Sequence, residues 1–161
     1  DQRIQRFDHH PDLVFVFSDR MGSNGLVAHQ AGAVSKVELE VVPQGTLAER
    51  IRAGGAGIPA FYTPTGVGTQ IAEGKEIREF DGREYAMERS LKADFALLRA
   101  NVADTLGNTT YRGTSQNFNG VMATAASVTI IEVDEIVEPG GLDSAVIHTP
   151  ALYVNRMVKI S

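Results

Sequence analysis

The sequence predicts an α/β fold, a largely parallel sheet flanked by helices and carrying one hairpin. Three observations predict it. Residues 13–17 (LVFVF) form a short, unbroken apolar run, the pattern of a strand covered on both faces, and residues 95–98 and 128–133 supply two more core strands. Strand signals alternate with helix signals along the chain instead of segregating, as crossover units require. Finally, EIREFDGREYAMER places Asp81-Gly82 between two alternating segments, which is a strong hairpin signal.

The remaining elements follow in chain order. Residues 37–42 (VELEVV) alternate, so this strand is expected to be half-covered or near an edge. Thr46-Leu47-Ala48-Glu49 has the form of a capping box, in which the Thr hydroxyl accepts from the Glu49 amide while Glu49 reaches back. The helix it opens is expected to run to about Ala53, with Gly54 as a left-handed stop. Residues 54–69 then hold five glycines, two prolines and no charge. Loops are normally polar, and an apolar, glycine-rich one lets another group approach the backbone closely. Residues 119–127 (NGVMATAAS) read as a short helix entered through Asn119, and residues 153–160 (YVNRMVKI) as a closing strand. No repeat, low-complexity tract or linker interrupts the chain, so residues 1–161 are expected to form one domain.

Composition narrows the function classes. The 161 residues are 43% hydrophobic and 22% charged, ordinary for a soluble globular protein with a core of its own. No apolar run has the length of a membrane span, and no charged-then-apolar leader is expected. A net charge of −5, with Lys and Arg scattered, argues against nucleic acid as the main partner. The absence of cysteine removes disulfides, thiolate nucleophiles and cysteine metal sites, which fits a reducing, cytoplasmic location.

A search for catalytic groups finds no complete set. Adjacent His9 and His10 would point apart in a strand, and no carboxylate stands at ligand spacing, so no metal site is expected. His148, in IHTP, fits a turn role as well as a catalytic one. G-x-S-x-G, H-E-x-x-H, Walker A and G-x-G-x-x-G patterns are all missing, which leaves hydrolase, metallopeptidase and nucleotide-binding readings without support. The acidic residues of EVDEIVE are explained by a solvated strand face.

The run VVPQGTLAERIRAGGAGIPAFYTPTGVGT, followed by EGKE, ADFALLRA, ADTLGN, NFN and EVDEIVE, resembles the family I CoA-transferases, and among them the A (alpha) subunit of the 3-oxoacid and acetate type. The resemblance spans residues 37–158. It implies a CoA-transferase-like fold and transfer of CoA from an acyl-CoA, such as succinyl-CoA or acetyl-CoA, to a 3-oxoacid or short-chain carboxylate. It further implies no metal or redox cofactor, with coenzyme A as substrate. In two-subunit members the thioester is attacked by a glutamate carboxylate of the B subunit, and a glutamyl-CoA intermediate forms. Gly22-Ser23-Asn24-Gly25 lacks that glutamate, so the nucleophile is expected on a partner chain, in a hetero-oligomer with two copies of each subunit. By the same resemblance Gln44 lies near the active site, where its amide can hydrogen-bond an acyl or carboxylate oxygen as charge develops. Gly66, Val67, Gly68 and Thr69 would bring backbone N–H groups close to substrate or partner.

The sequence departs from the family pattern in three places. The usual Gly-Gly-Phe start and Asn-rich turn are replaced by DQRIQRFDHHPD, so the usual N-terminal portion is expected to be missing. Ser23-Asn24 stands where many relatives have Glu-Asn. Gln116 precedes Asn117-Phe118 where an Arg is general, which removes a bidentate carboxylate donor. Two non-catalytic alternatives are a metabolite-sensing domain and a truncated scaffold subunit.

Overall fold

A computed structural model describes residues 14–16, 26–30 and 37–160, with side chains from Glu40 onward. The expectations at His9, His10 and residues 22–25 lie outside the described residues. Chain order gives β1 (Val14–Val16), β2 (Leu26–Gln30), β3 (Val37–Val41), α1 (Gln44–Gly55), β4 (Ala60–Thr63), β5 (Ile77–Phe80), β6 (Arg83–Arg89), β7 (Ala93–Asp104), β8 (Thr109–Thr110), α2 (Asn119–Ala125), β9 (Ala126–Val137) and β10 (Arg156–Lys159).

The main sheet has the order β1-β7-β9-β10, and each of these three pairings is parallel. β8 adds an antiparallel pair at the end of β7. The expected parallel sheet is therefore present. β7 and β9 run much further than the segments 95–98 and 128–133, because the polar ends Asn101 and Glu135 remain in the ladder on exposed faces. Alternation along these strands sets the core. Ala96, Leu98 and Ala100 of β7 and Ile131 and Val133 of β9 are buried, and α1 (Leu47, Ile51) and α2 (Met122, Ala123) cover them. On the opposite face, Arg99 donates to Asp134 at 2.8 Å and Asn101 donates to the same carboxylate at 3.3 Å. The acidic EVDEIVE face is solvated as expected.

Antiparallel structure exceeds the one hairpin expected. Asp81 (φ 50°) and Gly82 (φ 77°) do form the two-residue turn between β5 and β6, with the doubly positive φ of a type I′ turn. β4 joins the other edge of β6 to give a three-stranded sheet, and β2 pairs with β3 separately. The alternation seen at 37–42 belongs to that two-stranded pair. Residues 153–160 are only partly strand: Ala151–Tyr153 winds into a 3₁₀ turn after Pro150, and β10 begins at Arg156.

The helix ends differ from the expected ones for local reasons. α1 starts at Gln44 with Pro43 as its N-cap (φ −57°, ψ 138°), and the Leu47 N–H donates to the Pro43 carbonyl at 2.9 Å. Proline pre-sets the entry backbone three residues early, at 43 instead of 46. Thr46 is then inside the first turn and cannot cap; its hydroxyl is buried without a partner, and Glu49 accepts from Arg52 at 2.6 and 2.9 Å instead. At the other end Gly54 is helical. The left-handed stop is Gly57 (φ 72°), with Ile58 N–H donating to Ala53 at 2.9 Å and Gly57 N–H to Gly54 at 3.2 Å, the paired bonds of a Schellman closure. Likewise Phe118, not Asn119, caps α2; the Asn119 amide instead donates across to the Arg99 carbonyl at 2.6 Å.

Gly54 and Gly55 serve close packing. A Cβ on Gly54 would stand 2.0 Å from the Leu91 carbonyl oxygen, and one on Gly55 would stand 2.2 Å from Thr124 Oγ1. The absent side chains let the end of α1 press against the β6–β7 connection and α2.

Candidate active-site segments

Two segments carry the residues singled out by sequence, and α1 positions both. Arg50, on the buried side of α1, donates from Nη1 to Glu40 Oε1 at 2.7 Å and from Nε to the Arg89 carbonyl at 2.9 Å. Its own carbonyl accepts from Leu91 N–H at 2.8 Å. One side chain thus pins the helix to β3 and to the end of β6. Gln44 opens this fixed helix and is exposed, with no hydrogen bond among the described residues. The first turn contains no acidic residue and no side-chain cap. The N–H groups of Gln44, Gly45 and Thr46 precede the first intrahelical donor, so the positive end of the helix is not neutralised from within its first turn.

The second segment follows β4. In residues 64–69, Val67 N–H donates to Pro64 at 3.4 Å and Thr69 N–H to Gly66 at 3.1 Å; the Thr69 hydroxyl donates to the Gly66 carbonyl at 2.7 Å and accepts from Ile71 N–H at 3.3 Å. Gly66 (φ 86°) and Gly68 (φ 78°) both take left-handed backbone. A Cβ on Gly66 would also meet Ile71 Cγ2 at 2.9 Å, whereas the space beside Gly68 is open. Gly66 and Thr69 are therefore joined to each other and have structural work within the turn. The Gly66 and Gly68 N–H groups donate to no backbone carbonyl among the described residues. No hydrogen bond joins Gln44 to this turn. β4, which leads into it, packs on α1.

The turn is tethered from below by a pair that stood outside the sequence-based candidates. Lys75, after the Gln70–Ala72 3₁₀ turn, donates at 2.5 Å to Glu88, whose side chain is only 4% exposed on β6. The legible signal was Glu88 itself, at the position in REYAMER that alternation assigns to the inner face together with Ala86.

A third cluster lies at the end of the main sheet. Asp104, 4% exposed, accepts at Oδ1 from the N–H groups of Leu106, Gly107 and Asn108 at 2.9–3.1 Å and at Oδ2 from Asn108 Nδ2 at 2.8 Å. Burial pushes its carboxyl upward, and the four donors outweigh that, holding it below the usual Asp range. This arrangement accounts for the ADTLGN motif as a turn built around one carboxylate. Asn108 Oδ1 in turn accepts from Ala151 N–H at 2.9 Å. Close by, the Tyr111 hydroxyl lies 2.7 Å from Thr149 Oγ1, and burial raises its ionisation above that of a free phenol although the Thr109 and Thr149 hydroxyls oppose the rise. His148 Nδ1 accepts the Tyr111 N–H at 3.0 Å and its ring stacks on Tyr111 at 5.7 Å, so its turn role is accounted for. Gln116 is exposed on the Gly113–Gln116 turn.

Among the described residues no group of three or more His, Asp or Glu is placed to hold a metal, and no helix is long and apolar enough to cross a membrane. What the site offers is hydrogen-bond donors: an exposed amide on an anchored helix, and turn N–H groups that meet no backbone carbonyl among the described residues. Such groups stabilise developing negative charge on oxygen and supply no nucleophile.

The chain is 58% identical over 123 residues to the A subunit of a probable succinyl-CoA:3-ketoacid coenzyme A transferase of Bacillus subtilis, covering 76% of this chain and 52% of that one. It is 52% identical over 139 residues to the A subunit of the 3-oxoadipate CoA-transferase of Pseudomonas putida, covering 86% and 60%. It thus spans about half the length of the curated relatives it matches. In fold it is similar to an acyl-CoA transferase of E. coli O157:H7 with a TM-score of 0.67 at 22% identity, over 75% of this chain and 28% of that chain. The coenzyme A transferase profile matches residues 18–159, and the segments described above fall within that span: the chain belongs to the coenzyme A transferase family.

Proposed function

We propose that this chain supplies the A-subunit half of a site that moves CoA from an acyl-CoA, such as succinyl-CoA or acetyl-CoA, to a 3-oxoacid or short-chain carboxylate. The observation that carries the reading is Gln44: an exposed amide, without a partner among the described residues, on the first turn of a helix whose other end is locked by Arg50, Gly54 and Gly55. Relatives named as A subunits of 3-ketoacid and 3-oxoadipate transferases support the substrate class.

The nucleophile in this reading is a glutamate carboxylate of a B subunit. Its oxygen attacks the acyl-CoA carbonyl, expelling the CoA thiolate and leaving an acyl-glutamyl anhydride. The thiolate then attacks the glutamyl carbonyl and releases the donor acid, giving glutamyl-CoA. The acceptor carboxylate repeats both steps in reverse order and regenerates the free glutamate. Each step places negative charge on a carbonyl oxygen, and Gln44 with the Gly66 and Gly68 N–H groups donates to that oxygen. Val67 and Thr69 hold the turn's shape beside the substrate. Because no step changes oxidation state, the reaction calls for no redox cofactor, and because charge is stabilised by donors it calls for no metal. We place the enzyme in the cytoplasm as a hetero-oligomer with two copies of each subunit.

Mixing succinyl-CoA and acetoacetate with the chain by itself, with a B subunit by itself and with both together tests this. Acetoacetyl-CoA formed only by the mixture is expected. Turnover by this chain alone, or none from a mixture shown to form a complex with succinyl-CoA, acetyl-CoA, acetoacetate and 3-oxoadipate all tried, would overturn the reading.

A further inference from the structure

The β4-β6-β5 sheet separates its side chains by face. On β6, Ala86 and Glu88 point to the body of the protein and are buried, so the alternate residues Arg83, Tyr85 and Arg89 point outward. Register places Tyr62 beside Met87, Arg78 beside Tyr85 and Phe80 beside Arg83 on that same outer face. The acidic residues of these strands, Glu79, Glu84 and Glu88, all lie on the other face.

The outer face is a continuous aromatic and guanidinium surface. Phe80 packs edge-on against Tyr62 at 5.4 Å and against Tyr85 at 5.5 Å, and Arg78 and Arg83 lie over the Tyr62 and Tyr85 rings at 5.4 and 5.8 Å. Phe80 nevertheless remains 45% exposed. Arg78 is paired with Glu76 at 2.6 Å, while Arg83 and Arg89 form no ion pair among the described residues. A chain with net charge −5 thus gathers three arginines on one flank, interleaved with three aromatic rings and offset in part by Glu76, which also accepts from the Tyr62 hydroxyl at 2.7 Å.

We infer that this face is the docking surface for a different protein chain that presents carboxylates; resting on the proposed function, that partner is the B subunit. Aromatic side chains and arginine are the residue types enriched at protein interfaces, where Glu and Asp are depleted, and the face has that composition. The face is a flat sheet surface, suited to another protein surface. A second copy of this chain is a poor occupant. Two-fold pairing sets the same patch against itself, which would gather the guanidinium groups of both copies in one interface.

Association of the chain with its B subunit, measured by titration calorimetry, tests the assignment. The double variant R83E/R89E and the single variant Phe80→Ala are each expected to weaken Kd at least tenfold. Glu79→Lys, on the opposite face, is expected to leave it unchanged, with circular dichroism confirming that all three fold. Wild-type affinity in both outer-face variants would overturn the surface while leaving the subunit reading intact. No binding by the wild-type chain would overturn the subunit reading and the surface with it. Self-association of the wild type that the same variants abolish would assign the face to a second copy instead.

Discussion

Arg50 and Glu40 meet at 2.7 Å between α1 and β3, and the same guanidinium reaches the Arg89 carbonyl at 2.9 Å. The two partners are unequal. The Arg50 side chain is 10% exposed and that of Glu40 40%, so the arginine carries the cost of burial and the glutamate does not.

Arg50→Met is accordingly expected to destabilise the chain by about 1–3 kcal/mol, because a part-buried carbonyl and a half-exposed carboxylate lose their donor together. Glu40→Gln keeps the shape and removes a half-exposed charge, at about 1 kcal/mol or less. Urea unfolding of both variants measures the difference; equal effects would mean that the ion pair, not the carbonyl bond, anchors α1.

Gly54→Ala is expected to be more damaging than its helix position suggests. Alanine ordinarily stabilises a helix interior by up to about 1 kcal/mol relative to glycine. Here its Cβ would stand 2.0 Å from the Leu91 carbonyl oxygen, a backbone atom that cannot rotate away. A loss of about 3 kcal/mol is expected, with a thermal midpoint lowered by several degrees. The control is Gly45→Ala, where no atom lies within 4 Å and stability should hold or rise.

Acid sensitivity is expected to centre on Asp104. Its folded ionisation lies below the ordinary Asp value of 3.8, so the unfolded chain binds the proton more readily. The stabilisation is fully present above the unfolded value and is lost as pH falls through the depressed folded one. Asp104→Asn should cost about 1–3 kcal/mol at neutral pH and flatten the decline in stability below about pH 4. An unchanged acid limb in the variant would assign the decline to other carboxylates.

Gln44→Ala tests chemistry without testing the fold. The side chain is exposed and makes no hydrogen bond among the described residues, so unfolding should shift by less than about 0.5 kcal/mol. On the proposed function, the variant's complex with a B subunit should lose one oxyanion donor and about 10²- to 10³-fold in kcat. A change confined to KM would place Gln44 in ground-state binding.

The sequence made the architecture legible where the information is local. Unbroken apolar runs, the alternation in EIREFDGREYAMER and the Asp81-Gly82 pair act over a few residues, and their elements form where expected, with β7 and β9 extending beyond the apolar runs. Capping was less legible, since Thr46 and Asn119 both carry good cap side chains. Pro43 and Phe118 displaced them because backbone geometry upstream determined where each helix began. Gly54 likewise has the composition of a stop but the role of a contact point, as its neighbour Leu91 is remote in sequence. The candidate residues Gln44 and 66–69 came from resemblance, and the structure adds which of their groups have no partner among the described residues: the Gln44 amide and the Gly66 and Gly68 N–H groups, with Thr69 occupied in its own turn.

By itself, then, the sequence determined the class of fold, the hairpin turn and the family pattern, all of which depend on side-chain periodicity and short spacings. Only the tertiary structure decided that Arg50 joins three elements, that Asp104 gathers four donors, and that the aromatic rings and guanidinium groups of three strands share one outer face. Those outcomes depend on contacts between residues far apart in the chain or on the pairing register of strands, neither of which a local pattern contains.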